Sequence, residues 1–142
     1  MAVDIDPAAV ESTQINAANN HVSLLTGLPE AATGVFHLVL ANILATPLKM
    51  LAPLLCAHVQ AGGHLVLAGI LEPQADELKA AYAPWLALEV TDSEEGWILM
   101  TARAAAWGEV VRQASALAFL DAYRLLAMGV LVLLPLVPFL GR

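Results

Sequence analysis

The sequence predicts an α/β chain: a mostly parallel sheet with helices on both faces, followed by a C-terminal hydrophobic helix. Three observations carry that expectation. The apolar runs Val35–Ala41 (VFHLVLA) and His64–Ile70 (HLVLAGI) are continuous rather than alternating, as in strands buried on both faces. Proline stands just inside helix-opening positions at Asp6-Pro7, Thr46-Pro47 and Glu72-Pro73, so helical segments alternate with the strands. Residues 104–142 differ sharply in composition from everything before them.

Met1–Ile5 reads as a short strand end, and Asp6 as an N-cap acceptor for a helix that runs to about Asn20. Val22–Leu25 is a short strand candidate, and Gly27 to Gly34 a loop. After the strand Val35–Ala41, Thr46-Pro47 opens a helix to about Gln60, with Leu48, Leu51, Leu54 and Leu55 on one face. Gly62-Gly63 is expected to end it. The strand His64–Ile70 leads to a third helix with Leu78, Tyr82 and Trp85 on its inner side. Leu86–Thr91 and Trp97–Ala102, joined by Asp92–Gly96, read as a closing hairpin. This order belongs to a doubly wound fold.

Composition narrows the function. The chain has 142 residues, 59% hydrophobic and 13% charged, with six basic residues against 13 acidic ones. A formal charge of −7 excludes a phosphate-binding surface of clustered Lys and Arg, so no direct nucleic-acid binding is expected. One cysteine excludes a disulfide framework and a Cys-rich zinc site. His21, His37, His58 and His64 show no ligand spacing, so no metal site is expected. The serines lack a G-x-S-x-G setting, which leaves a hydrolase unsupported. Through Arg103 there are three basic and eleven acidic residues, whereas Leu125–Leu140 carries no charge at all. Two segments follow: 1–103, an α/β part, and 104–142, a hydrophobic helical tail. Asp4 and Asp6 stand where a targeting signal would carry its basic residues.

Ligands in such sheets bind past the carboxyl ends of strands, which singles out two positions. Asp4, in VDIDP, offers a carboxylate that can accept both hydroxyls of a ribose, with Ile5 beside it as an apolar face for an adenine. The alternative is that Asp4 and Asp6 only cap the helix. Asn42, directly after VFHLVLA, can hold an incoming amine by its side-chain amide, or serve as a turn residue bonding its own backbone.

The stretches AVDIDPAAVESTQINAANN, VFHLVLANILATPLKMLAPLL, AGGHLVLAGILEPQADELKAAYAPW and EEGWILMTAR resemble the C-terminal half of the catalytic domain of the ribosomal protein L11 methyltransferase (PrmA) family. The resemblance spans residues 2–103, and ANILA-x-PL followed by GG-x-LVL-x-GIL is its most specific part. It implies a Rossmann-like seven-stranded domain, S-adenosyl-L-methionine as cofactor, a cytoplasmic location, and methylation of lysine and N-terminal amines of a ribosomal protein. It implies that Asp4, Ile5 and Asn42 bind the cofactor. Asn42, with Ile43 and Leu44, would take the place of the loop that positions the substrate amine beside the reactive methyl. Such a displacement needs an uncharged, well-placed amine and a dry site, but no metal or covalent nucleophile. No side chain identifies itself as the base.

By the same comparison the chain starts at the family's second strand. The expectation is a truncated domain, lacking its first strand and glycine-rich loop and inactive alone; no G-x-G occurs in the sequence. Since that first strand lies between the second and fourth, two inner edges are expected to stand open. The tail, 113–140, resembles the last membrane helix of a major-facilitator multidrug transporter. Ala116–Leu140 is long enough to span a bilayer, with Asp121 and Arg124 one turn apart and Pro135 and Pro138 kinking or ending the helix. It either contacts a membrane or packs on the exposed sheet. Two rival readings therefore stand beside the methyltransferase: a membrane-associated protein with a passive α/β appendage, and another nucleotide-binding Rossmann-type protein.

Overall fold

Asp6 and Pro7 start the first helix in the expected way. The Asp6 carboxylate accepts the Ala8 N–H at 2.9 Å, and Pro7, whose missing N–H would have no partner there, opens the first turn. These contacts come from a computed structural model that describes residues 1–105 and 130–134. Its elements are β1 (Ala2–Asp4), α1 (Pro7–Asn19), β2 (Thr26–Gly27), a 3-10 turn (Pro29–Ala31), β3 (Phe36–Asn42), α2 (Ala45–Met50) and α3 (Ala52–Ala57). There follow β4 (Val59–Leu71), a 3-10 turn (Glu72–Gln74), α4 (Ala75–Tyr82), β5 (Glu89–Glu94), β6 (Trp97–Arg103) and β7 (Val130–Leu134).

The strands form one sheet in the order β2-β1-β7-β3-β4-β6-β5. β1 pairs with β2, and β3 with β4, in parallel; β6 runs antiparallel to β4 and β5. The step from β1 to β2 and the step from β3 to β4 run in opposite directions across the sheet. Right-handed crossovers therefore place α1 and the α2–α3 pair on opposite faces.

The core lies on the α2–α4 side. Val39 pairs with Leu65 and Leu65 with Ala102, while Ala41 pairs with Leu67 and Leu67 with Met100, so these buried residues share one face. Leu48, Leu51, Leu54, Leu55, Leu78 and Tyr82 pack into the same cluster. Each fully buried aliphatic side chain contributes about 1.5–3 kcal/mol relative to exposure. The Tyr82 hydroxyl donates to the Leu48 carbonyl at 2.8 Å, which ties α4 to α2. The other face is less covered: Leu38, Leu40 and Val66 are half-buried, and α1 has no fully buried residue.

Several expectations change. The single helix from Thr46 to Gln60 is two, because Pro53 has no N–H and its ring would strike the Lys49 carbonyl; the chain turns at Leu51 and restarts at Ala52. Gly62-Gly63 does not end a helix but lies within β4. There the Gly62 N–H donates to the Ala104 carbonyl and the Ala104 N–H to the Gly63 carbonyl. The strand expected at Val22–Leu25 is shifted to Thr26–Gly27. The hairpin closes with Glu95 at φ 50° and Gly96 at φ 83°, the left-handed pair of a two-residue turn between Glu94 and Trp97.

The largest change concerns the tail. Val130–Leu134, read from sequence as part of a helix, forms a strand antiparallel to both β1 and β3. The two inner edges expected to stand open are thereby paired. Facing rows of unpaired N–H and C=O groups demand a partner, and VLVLL suits a strand as well as a helix. The rest of the span Ala116–Leu140, including Asp121, Arg124, Pro135 and Pro138, lies outside the described residues. Among the described residues no helix is long and apolar enough to cross a membrane.

Candidate functional site

Strand order reverses direction between β1 and β3, and in open α/β sheets ligands bind outside the carboxyl ends at such a point. Both strands end on polar residues, Asp4 and Asn42. Val130 is the register partner of each, and Ala68 lies beyond Asn42, so Asp4, Val130, Asn42 and Ala68 form one row. Two strand spacings separate Asp4 from Asn42, about 10 Å.

Asp4 is only 6% exposed. Its Oδ1 accepts the Asp6 N–H at 2.8 Å. Among the described residues Oδ2 has no donor. A buried carboxylate oxygen without a partner is costly. The capping role falls to Asp6 alone. Asp6 caps α1 and Asp4 holds the turn before it. Ile5 beside them is half-buried.

An open cleft of about 740 Å³ lies next to Asn42. Asn42–Leu44 and Ala68–Gly69 form one side of it, and Asp92–Glu94 with Trp97–Leu99 the other. The Asn42 side chain is exposed, and its amide has no hydrogen-bond partner among the described residues. Ile43 turns its side chain into the core at 8% exposure, whereas Leu44 is 60% exposed. Asp92 and Glu94 give the rim a negative charge, and Trp97 presents a half-exposed indole.

The structure thus brings Asn42, Ile43 and Leu44 together in one cleft; Asp4 and Ile5 do not line it. Sequence reading missed Gly69, Asp92, Glu94 and Trp97 as neighbours of this site. It read Asp92–Gly96 only as the link of the closing hairpin and Trp97 only as the start of its second strand. The available signal was the hairpin: its tip is brought to the carboxyl end of β4, where Trp97 is the partner of Leu71. The histidines belong elsewhere. His64 pairs with Leu38 and Arg103, four rows from Ala68, and His37 Nδ1 lies 3.1 Å from the Gln60 amide. Among the described residues no group of three or more His, Cys, Asp or Glu is placed to hold a metal ion.

Residues 1–105 match the family model for ribosomal protein L11 methyltransferase (PrmA). A ribosomal protein L11 methyltransferase from Polaromonas sp. (strain JS666) is 72% identical over 96 residues, which cover 68% of this chain and 32% of that protein. One from Cupriavidus taiwanensis is 54% identical over 101 residues, covering 70% and 34%. The crystal structure of a ribosomal protein L11 methylase from Lactobacillus delbrueckii subsp. bulgaricus aligns with a TM-score of 0.64 at 27% identity. That alignment covers 72% of this chain and 56% of the other. The chain spans about a third of the length of the curated relatives it matches. With the fold, the quoted motifs and the family match in agreement over the same residues, this chain belongs to the ribosomal protein L11 methyltransferase (PrmA) family.

Proposed function

We propose that residues 1–103 form part of an S-adenosyl-L-methionine-dependent methyltransferase domain that acts on lysine and N-terminal amines of ribosomal protein L11. Residues 104–142 are a compositionally distinct apolar segment, from which β7 pairs with β1 and β3. The single observation that carries this reading is the row at the switch point, where a buried carboxylate and a strand-end amide lie level, each with a polar atom that has no partner among the described residues.

The residues present fit the cofactor in two respects. Asp4 Oδ2 is a buried acceptor without a donor among the described residues, suited to a ribose hydroxyl. Gly69 keeps the floor beside Asn42 free of a side chain that a Cβ would otherwise place there. When bound, the cofactor supplies an electrophilic methyl on a sulfonium.

The chain's own residues account for binding and placement. Asp4 accepts from the sugar, and burial strengthens that bond because water does not compete for it. Ile5 offers an apolar surface to the base. Asn42 Oδ1 accepts an N–H from the substrate amine and so aims its lone pair; holding reactants in line is the largest contribution such a site makes. Asp92 and Glu94 attract the amine in its charged form to the rim. It gives its proton to water at the open rim before attack, because an ammonium has no lone pair. Leu44 and Trp97 cover the amine and limit the access of water.

The test is a chimera in which residues 2–103 replace the matching stretch of the Polaromonas relative. It should methylate ribosomal protein L11. Asp4→Ala should weaken S-adenosylhomocysteine binding at least tenfold by calorimetry, and Asn42→Ala should lower kcat with little change in that affinity. A folded chimera without activity, or one whose cofactor affinity ignores Asp4, refutes the reading.

A further inference from the structure

Where β4 meets the cleft its register with β6 slips between Leu67 and Ile70, and Gly69 sits in the slip at φ +76°. A Cβ at this position would lie 2.7 Å from Asn42 Oδ1, 3.1 Å from the Ile43 carbonyl oxygen and 3.5 Å from its carbon. The first distance is closer than a Cβ approaches an oxygen, so one of the two has to move. The Ile43 carbonyl is backbone and anchored by a side chain in the core. The Asn42 side chain is exposed and without a hydrogen-bond partner among the described residues, so it is the group that yields.

We infer that Gly69 is the positioning residue for the Asn42 amide: the missing side chain and left-handed backbone at 69 are what allow Oδ1 to lie over the floor of the cleft. The inference rests on the methyltransferase reading for its consequence, since that reading makes Oδ1 the acceptor for the substrate amine. The contact itself stands on geometry alone. Gly34 and Gly62 supply the matching controls. Both have positive φ, +82° and +74°, and at both a Cβ would meet nothing within 4 Å. Alanine there imposes the same backbone strain without the collision.

The experiment uses the full chain, labelled with nitrogen-15. The side-chain amide resonances of Asn42 are assigned by their loss in Asn42→Ala. Gly69→Ala should shift that pair, and Gly34→Ala and Gly62→Ala should leave it in place. Gly69→Ala should also lower Tm about 4 °C further than Gly62→Ala, a gap that shrinks once Asn42 is alanine. If Gly69→Ala does not fold, the double variant with Asn42→Ala should recover folding. In the chimera, Gly69→Ala should lower kcat while the KM for cofactor holds. Unmoved Asn42 resonances in a folded Gly69→Ala, a Tm gap indifferent to Asn42, or an unfolded double variant overturns the inference. A shifted resonance beside a chimera indifferent to Asp4 would keep Gly69 as the positioning residue and discard the methyl-transfer reading.

Discussion

Replacing Tyr82 by Phe should weaken the fold at neutral pH and strengthen it, relative to the parent, in strong alkali. Tyr82 is fully buried, and its hydroxyl donates to Leu48 across the α2–α4 contact. Losing that bond costs about 1 kcal/mol net, or roughly 3–5 °C in Tm for a domain of this size. Burial first, and the Cys56 thiol beside it second, push the phenol far above its ordinary value of 10.0. The folded phenol therefore keeps its proton where the unfolded one releases it. Its contribution is complete below pH 10 and is withdrawn as the pH rises, by about 1.4 kcal/mol for each unit above that value. Parent and variant should become equal near pH ~11, where the alkaline loss matches the cost of the missing hydrogen bond. Urea unfolding of both proteins between pH 8 and pH 12, followed by circular dichroism, reads the difference directly. Other groups titrating in that range affect both proteins alike. Two curves that stay parallel throughout would mean that Tyr82 is not buried as a neutral phenol, and the reasoning fails.

Leu55→Ala removes a side chain with no exposure from the middle of the core and should cost about 2–5 kcal/mol by urea unfolding; Val90→Ala, on the exposed edge strand, should stay within about 0.5 kcal/mol. Asp6→Ala should cost about 1 kcal/mol through the lost cap, and Asp6→Ser should restore most of it in the same assay. The Lys49 ammonium holds the Glu77 carboxyl below its ordinary 4.5. The stability from this pair is present above that pH and lost as the pH falls below it. The pair is exposed, so the acid limb of the Tm–pH curve should flatten slightly in Lys49→Met, and 1 M salt should remove the difference.

Much of the architecture was legible because it depends on short stretches of chain. Asp6-Pro7 carries its own cap and first turn. Val39, Ala41, Leu65 and Leu67 of the two apolar runs lie inside, and the polar residues Asp4 and Asn42 stand where β1 and β3 stop. Local chemistry was also enough to recognise the family over residues 2–103. It was not enough to place Pro53 as a helix break rather than an interior residue, or Gly62-Gly63 inside a strand. Both depend on what the neighbouring chain offers the backbone.

The sequence by itself determined which segments are buried and which polar groups stand at strand ends, because burial and capping follow from residue type and nearest neighbours. Tertiary structure alone decided three things. It buried Asp4, one oxygen of which has no donor among the described residues. It drew Val130–Leu134 into the gap between β1 and β3, since an apolar run with no strong preference takes the shape that satisfies the unpaired edges around it. And it set Gly69 beneath Asn42, a contact between residues on adjacent strands that exists only once their register is set.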